Sequence, residues 1–167
     1  DTKIKVFENF KYLISFGDKV GFFGGGKDGK FSNPSKISID LNEKVYVLDT
    51  SLNMIQVFNS DGIFLYSIDL ASLDMNGKFS DIFNDEAGNL YALSYSSKKV
   101  YVMDSNGKLS SSFDIKDSYR PQSFAYDGVK FIFILDTERS RVYVYDKTGN
   151  FYASFFAKGV TSREFMR

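Results

Sequence analysis

Four stretches of this chain read alike: IKVFENFKYLISF (4–16), IQVFNSDGIFLYSI (55–68), VYVMDSNGKLSSSF (100–113) and VYVYDKTGNFYASF (142–155). Each opens on an alternating apolar run, crosses a polar turn and enters a second run that carries a Ser beside Leu, Phe or Tyr. Strict alternation describes a strand with one buried face. The last three turns hold Gly62, Gly107 and Gly149 after Asp61, Asn106 and Thr148. Such pairs supply the positive φ of a tight hairpin. The first copy has Glu8-Asn9-Phe10-Lys11 instead, a weaker turn signal. The glycines stand 45 and then 42 residues apart. A repeat of that length cannot bury its apolar face alone and must stack on its neighbours.

A second hairpin precedes three of these copies, in SKISIDLNEKVYVLDT (35–50), SDIFNDEAGNLYALSY (80–95) and QSFAYDGVKFIFILDT (122–137). The second strand of each, VYVL, LYAL or FIFIL, is almost continuously apolar, which suits a strand covered on both faces. The unit is therefore four strands with a period near 45 residues, the signature of propeller blades. A β-sandwich would not need the same turn at the same place three times. No stretch longer than a turn or two shows the 3.6-residue period of a helical solenoid. The fold class is all-β: a β-propeller of four-stranded antiparallel blades in an incomplete ring.

The best copy, GKFSNPSKISIDLNEKVYVLDTSLNMIQVFNSDGIFL (29–65), resembles the NHL repeat. The resemblance rests on Gly29, Phe31, Pro34, Ile37, Asp40, Tyr46, Val47, Asp49, Asn53, Ile55, Val57, Phe58, Asp61 and Gly62. The second copy keeps Phe79, Asp85, Gly88, Asn89, Leu90 and Tyr91 but has Ser94 in place of Asp49 and no Pro. The third keeps Pro121, Asp127, Gly128, Asp136, Arg141 and Val142. The resemblance implies a six-bladed ring, more than 167 residues supply. The expected organisation is an outer hairpin (1–17), blades at 31–68, 79–115 and 120–157, and the start of a further blade at 158–167, with Phe165 where Phe31 and Phe79 sit. Open strand edges invite association, so the expected partners are further blades of the same polypeptide, a second copy across the open edge, or another protein. The resemblance also tilts localisation toward secreted or periplasmic.

Composition removes several classes of chemistry. There is no Cys and no His, hence no disulfide, no thiolate, no imidazole base and no zinc or copper site of the usual kind. An oxygen-only calcium site would need acids that are here placed in turns. Twenty-one basic residues balance 21 acidic ones, which gives no electrostatic footprint for nucleic acid or membrane. No apolar run approaches the roughly 20 residues of a membrane helix. No cofactor, no metal ligand and no catalytic residue is expected.

Function, on this reading, sits on the face made by the loops within and between blades. Asp49 and Asp136 each end an apolar strand and open a tight loop. A carboxylate there either accepts backbone N–H bonds in an Asx turn or joins a ring of acids around the channel, which Ser94 interrupts. Asn53 shares the first of these loops. Gly24-Gly25-Gly26 lacks the Gly-Lys-Ser/Thr ending of a phosphate loop. Beside it Phe22 and Phe23 either tuck onto the propeller or meet a partner. Lys98, Lys99, Arg120, Arg139 and Arg141 fall on neighbouring blades of this face, as a basic patch or as loop charges paired with Asp117, Asp136 and Glu138. The expected function is a non-catalytic scaffold that binds a protein or polymer. A fragment of a lyase- or lactonase-type propeller enzyme is the first alternative and an RNA-binding propeller the second, the latter disfavoured by the neutral charge.

Overall fold

A computed structural model describes residues 3–8, 11–19 and 28–156. Phe22, Phe23 and the segment 158–167 lie outside the described residues. Strands β1 (Ile4–Glu8) and β2 (Lys11–Phe16) form an antiparallel hairpin. Three four-stranded antiparallel sheets follow in chain order. Blade 1 is β5 (Pro34–Ile39), β6 (Val45–Asp49), β7 (Met54–Phe58) and β8 (Phe64–Asp69). Blade 2 is β9 (Phe79–Asn84), β10 (Leu90–Ser94), β11 (Lys99–Met103) and β12 (Leu109–Asp114). Blade 3 is β13 (Pro121–Tyr126), β14 (Phe131–Asp136), β15 (Arg141–Asp146) and β16 (Phe151–Phe156). Every neighbouring pair is a meander hairpin, so each sheet is built from local connections alone. The first strands β5, β9 and β13 adjoin one another and so line the axis of the stack.

The loop between hairpin and blade 1 is not wholly irregular. Strand β3 (Asp18–Lys19) pairs in parallel with β4 (Lys30–Phe31) and closes the long insert at its base. Between blades 1 and 2 a single 3-10 turn, Leu70–Ser72, is capped by the Asp69 carboxylate accepting from the Ala71 N–H. No described helix is long and apolar enough to cross a membrane.

The core lies between blades. Leu48, Ile55 and Val57 of blade 1 meet Ile82, Leu90 and Ala92 of blade 2. Leu93, Val100 and Val102 of blade 2 meet Ile132, Ile134 and Tyr143 of blade 3. The β1–β2 hairpin covers the outer half of blade 1 in the same manner, with Phe16 packed among Phe31, Val45, Val47 and Phe58. The apolar second strand is thus read on both faces in β6 and β10, whose residues are all buried. Strand β14 departs from that expectation. Its residues alternate between buried and partly exposed, because no described residue covers the far face of blade 3.

The repeated turn glycine has a second task besides its positive φ. In each blade it lies on the outer strand of the preceding unit. A Cβ at Gly149 would stand 2.4 Å from Cβ of Phe113, and one at Gly107 2.5 Å from Cγ1 of Ile68. Gly62 meets Phe16 in the same way. The spacing of these glycines therefore records both a hairpin and a blade-to-blade contact.

Candidate functional site on the connecting-loop face

The loops β6–β7, β10–β11 and β14–β15 all stand at one rim, together with the links from one blade to the next. Asp49 and Asp136, fully buried at the ends of β6 and β14, organise two of them. Asp49 Oδ1 accepts from the N–H groups of Ser51 and Leu52, which closes the loop that follows it. Its Oδ2 accepts from Ser32 N–H at 2.6 Å and Asn33 N–H at 3.1 Å, which ties down the link that enters the blade. Asp136 repeats this with Glu138 and Arg139 on Oδ1 and with Tyr119 and Arg120 on Oδ2. A carboxylate whose lone pairs are spent on backbone donors is a structural clamp.

Blade 2 has Ser94 at this position, and a hydroxyl cannot do both jobs. Ser94 Oγ accepts from the Ser97 hydroxyl at 2.8 Å and from the Ser97 N–H at 3.3 Å, within its own loop. The incoming link is held instead by Ser96 Oγ, which accepts from Lys78 N–H at 2.8 Å. That link, residues 70–78, is also longer than the one at 115–120. Where the clamp is missing, a groove of about 600 Å³ opens between blades 1 and 2. Thr50 and Asn53 form one wall, the Met75–Lys78 stretch and Tyr95 the other. Ser35, Lys36, Ser80 and Gln122 of the axial strands make its floor.

Beneath that floor Asp81 joins all three blades. Its Oδ2 accepts from the Ser123 hydroxyl at 2.6 Å and the Phe124 N–H at 3.0 Å, and its Oδ1 lies 3.6 Å from Lys36 Nζ. Asp81 is buried, so the pair is a tether between β5, β9 and β13 more than a reactive group.

The other residues singled out from sequence scatter around this rim. Asn53 and Lys98 occupy equivalent left-handed positions, φ 51° and 57°, and their carbonyls accept from Leu70 and Ile115 N–H. Lys98 lies over the Tyr119 ring and Arg120 over Tyr95. Arg120 also pairs with Glu138 at 3.4 Å, and Lys99 with Asp114 at 3.3 Å. Arg141 donates to Ser154 Oγ and stacks on Phe156, away from the axis. Arg139 contributes its N–H to the Asp136 clamp. The side chains of Lys98, Lys99, Arg120 and Arg141 are thus each engaged with a different partner. Lys36, Met75, Lys78, Tyr95 and Gln122 were not singled out from sequence. The signal that points to them is the exchange of Asp for Ser94 beside the longer link.

Among the described residues no group of three His, Cys, Asp or Glu is placed to hold a metal ion. The most perturbed exposed acid is on the opposite rim. Glu86 accepts from Lys147 Nζ at 2.6 Å on one oxygen and from the Tyr126 hydroxyl at 2.7 Å on the other, and these bonds lower its carboxyl to about 2. Lys147 in turn is held well above the usual ammonium range, first by Glu86.

No family model matches the chain, and no curated protein sequence matches it. Solved structures do resemble it. Virginiamycin B lyase from Staphylococcus aureus superposes with a TM-score of 0.62 at 16% identity, over 75% of this chain and 41% of that one. A catalytically inactive histidine-to-alanine form of that lyase with quinupristin gives 0.64 at 15% identity, over 77% and 42%. Hydrazine synthase from Kuenenia stuttgartiensis gives 0.61 at 12% identity, over 81% and 39%. The chain thus spans about two fifths of the structures it matches. At these identities the likeness speaks for fold, and together with the three stacked meander sheets it makes this chain part of a β-propeller.

Proposed function

We propose that this chain is a non-catalytic interaction module of an NHL-type propeller, which holds an extended segment of a protein partner on its connecting-loop face. The observation that carries the reading is the exchange at Ser94. Where Asp49 and Asp136 lock their loops shut, blade 2 leaves a groove lined by amides, hydroxyls, a Tyr and an exposed Met. Shallow polar grooves with a few apolar anchors suit extended chains. The conspicuous acids of this face have their oxygens occupied by backbone N–H groups, which leaves them unsuited to general acid–base work. The chain's 167 residues hold no histidine, whereas the inactive form of the S. aureus lyase is made by replacing one.

The test is selection of peptides from a random displayed library on the immobilised protein, followed by binding to Tyr95→Ala and Gln122→Ala variants. Selected peptides are expected to lose at least tenfold in affinity on these variants, in the range of a buried aromatic or amide contact. Peptides that bind both variants as they bind the parent, or that are displaced only by changes at Leu41 or Glu86 on the opposite rim, would overturn the reading.

A further inference from the structure

The groove beside Ser94 has a charge that the chain as a whole does not. Basic and acidic residues balance in the sequence, yet the twelve residues lining the groove include Lys36 and Lys78 and not one Asp or Glu. Two carboxylates beside the lining residues, Asp81 and Asp74, are turned to other work. Asp81 is spent on Ser123, Phe124 N–H and Lys36. Asp74 accepts from the Asn76 N–H and the Tyr101 hydroxyl. Lys36 is thus partly neutralised, while Lys78 makes no ion pair with a described residue. Its backbone is fixed on both sides, N–H to Ser96 Oγ at 2.8 Å and carbonyl to Tyr95 N–H at 3.0 Å, so its ammonium is carried by an anchored stem.

The uncharged residues narrow the ligand further. Asn53, Asn76 and Gln122 each carry a carboxamide, and a carboxamide presents one donor edge and one acceptor edge. That pairing matches the N–H and C=O of an extended peptide and has no match in a phosphate chain, which offers acceptors only. Met75, 80% exposed, and the Tyr95 ring add an adaptable apolar contact of the kind used for side chains of varied shape. Resting on the loop-face reading above, we infer that the groove takes an acidic extended peptide, with carboxylates toward Lys78 and Lys36 and its backbone against the three carboxamides.

The probe is a fluorescein-labelled peptide of about eight residues, the length an extended chain needs to cross such a groove at about 3.3 Å per residue. It is built of Glu and Ser around one central Leu. Its control has Gln for every Glu. Anisotropy titrations should show the acidic peptide binding roughly tenfold more tightly than the control, with the advantage shrinking as salt rises from about 50 mM toward 0.5 M. Lys78→Gln should remove most of that advantage and Lys78→Arg should restore it. Equal binding of the two peptides, or an advantage untouched by Lys78→Gln, overturns the acidic assignment. If the control then still weakens on Gln122→Ala, the groove binds peptide and only its charge preference is wrong. If neither peptide binds, the acidic assignment falls, and the library selection decides separately whether the face binds peptides at all.

Discussion

Strands β10 and β14 are close in composition, LYALS against IFILD over the equivalent five residues, and they differ in what surrounds them. Leu93 of β10 is wholly buried, while its counterpart Leu135 in β14 is 38% exposed. The mirror case lies at the other end. Ile82 of β9 is 4% exposed between blades 1 and 2, and its counterpart Ile37 of β5 is 50% exposed. Nothing in either residue type accounts for these differences. Apolarity in this repeat is set by the unit, and burial is set by whether another sheet lies against it. A solenoid-like stack thus carries its energy in interfaces between neighbours and only secondarily within a blade.

The harshest break in that comparison is at the turn glycine. Gly149→Ala would place a Cβ 2.4 Å from that of Phe113 and would leave an L residue at φ 89°. Overpacking of about 1–3 kcal/mol adds to left-handed strain of about 1–2 kcal/mol. The loss should approach 4 kcal/mol in urea unfolding. Gly88→Ala shares a φ of 80° but meets nothing within 4 Å, so only the strain remains. A Gly149 variant no worse than the Gly88 variant would mean that blade 3 does not sit on blade 2 as described.

Next in size is truncation on matched positions. Leu93→Ala removes a side chain packed between two blades and should cost about 3 kcal/mol. Leu135→Ala, at the same position of an uncovered face, should cost roughly 1 kcal/mol, in proportion to the area it buries. The ratio of the two is the informative quantity. Similar losses would show that the far face of blade 3 is covered in solution, and a concentration-dependent midpoint would show that a second copy covers it.

What was legible from sequence follows the same division. The hairpins were legible, because alternation and Asn-Gly or Asp-Gly turns are local. The stack was legible from continuous apolar strands such as VYVL, which make sense only between two neighbours. The close approach of Gly107 to Ile68 was not, since 39 residues separate them along the chain and a turn glycine explains itself without a contact. The groove was legible only in part. Ser94 stood out as an interruption among acids, but its consequence depends on the backbone N–H groups of residues 32–33 and 119–120, which sequence does not display. Lys98, Lys99 and Arg141 read as cations on neighbouring blades of one face, yet the pleat and the loop geometry send them to Tyr119, Asp114 and Phe156.

The smallest expected effect concerns the rim away from the groove, where the two inter-blade interfaces differ in kind. Between blades 1 and 2 the Tyr66 hydroxyl donates to the Ser105 carbonyl, a neutral bond. Between blades 2 and 3 the equivalent turn supplies Lys147, bound to Glu86 at 2.6 Å. Its ammonium and the Tyr126 hydroxyl bring the Glu86 carboxyl from the ordinary 4.5 to about 2. A carboxyl held below its unfolded value stabilises the fold fully above that value and loses the contribution as pH falls through the folded one. The window is therefore pH 4.5 down to about 2. Glu86→Gln should show a flatter fall of the thermal midpoint across that window than the parent, with a constant offset at higher pH. Because Glu86 is half-exposed, solvent and salt screen the pair, so the difference in slope should fade when the titration is repeated at high ionic strength. Parallel slopes at low salt would mean that the Lys147–Glu86 pair is not formed in solution, and that the interface between blades 2 and 3 does not depend on it.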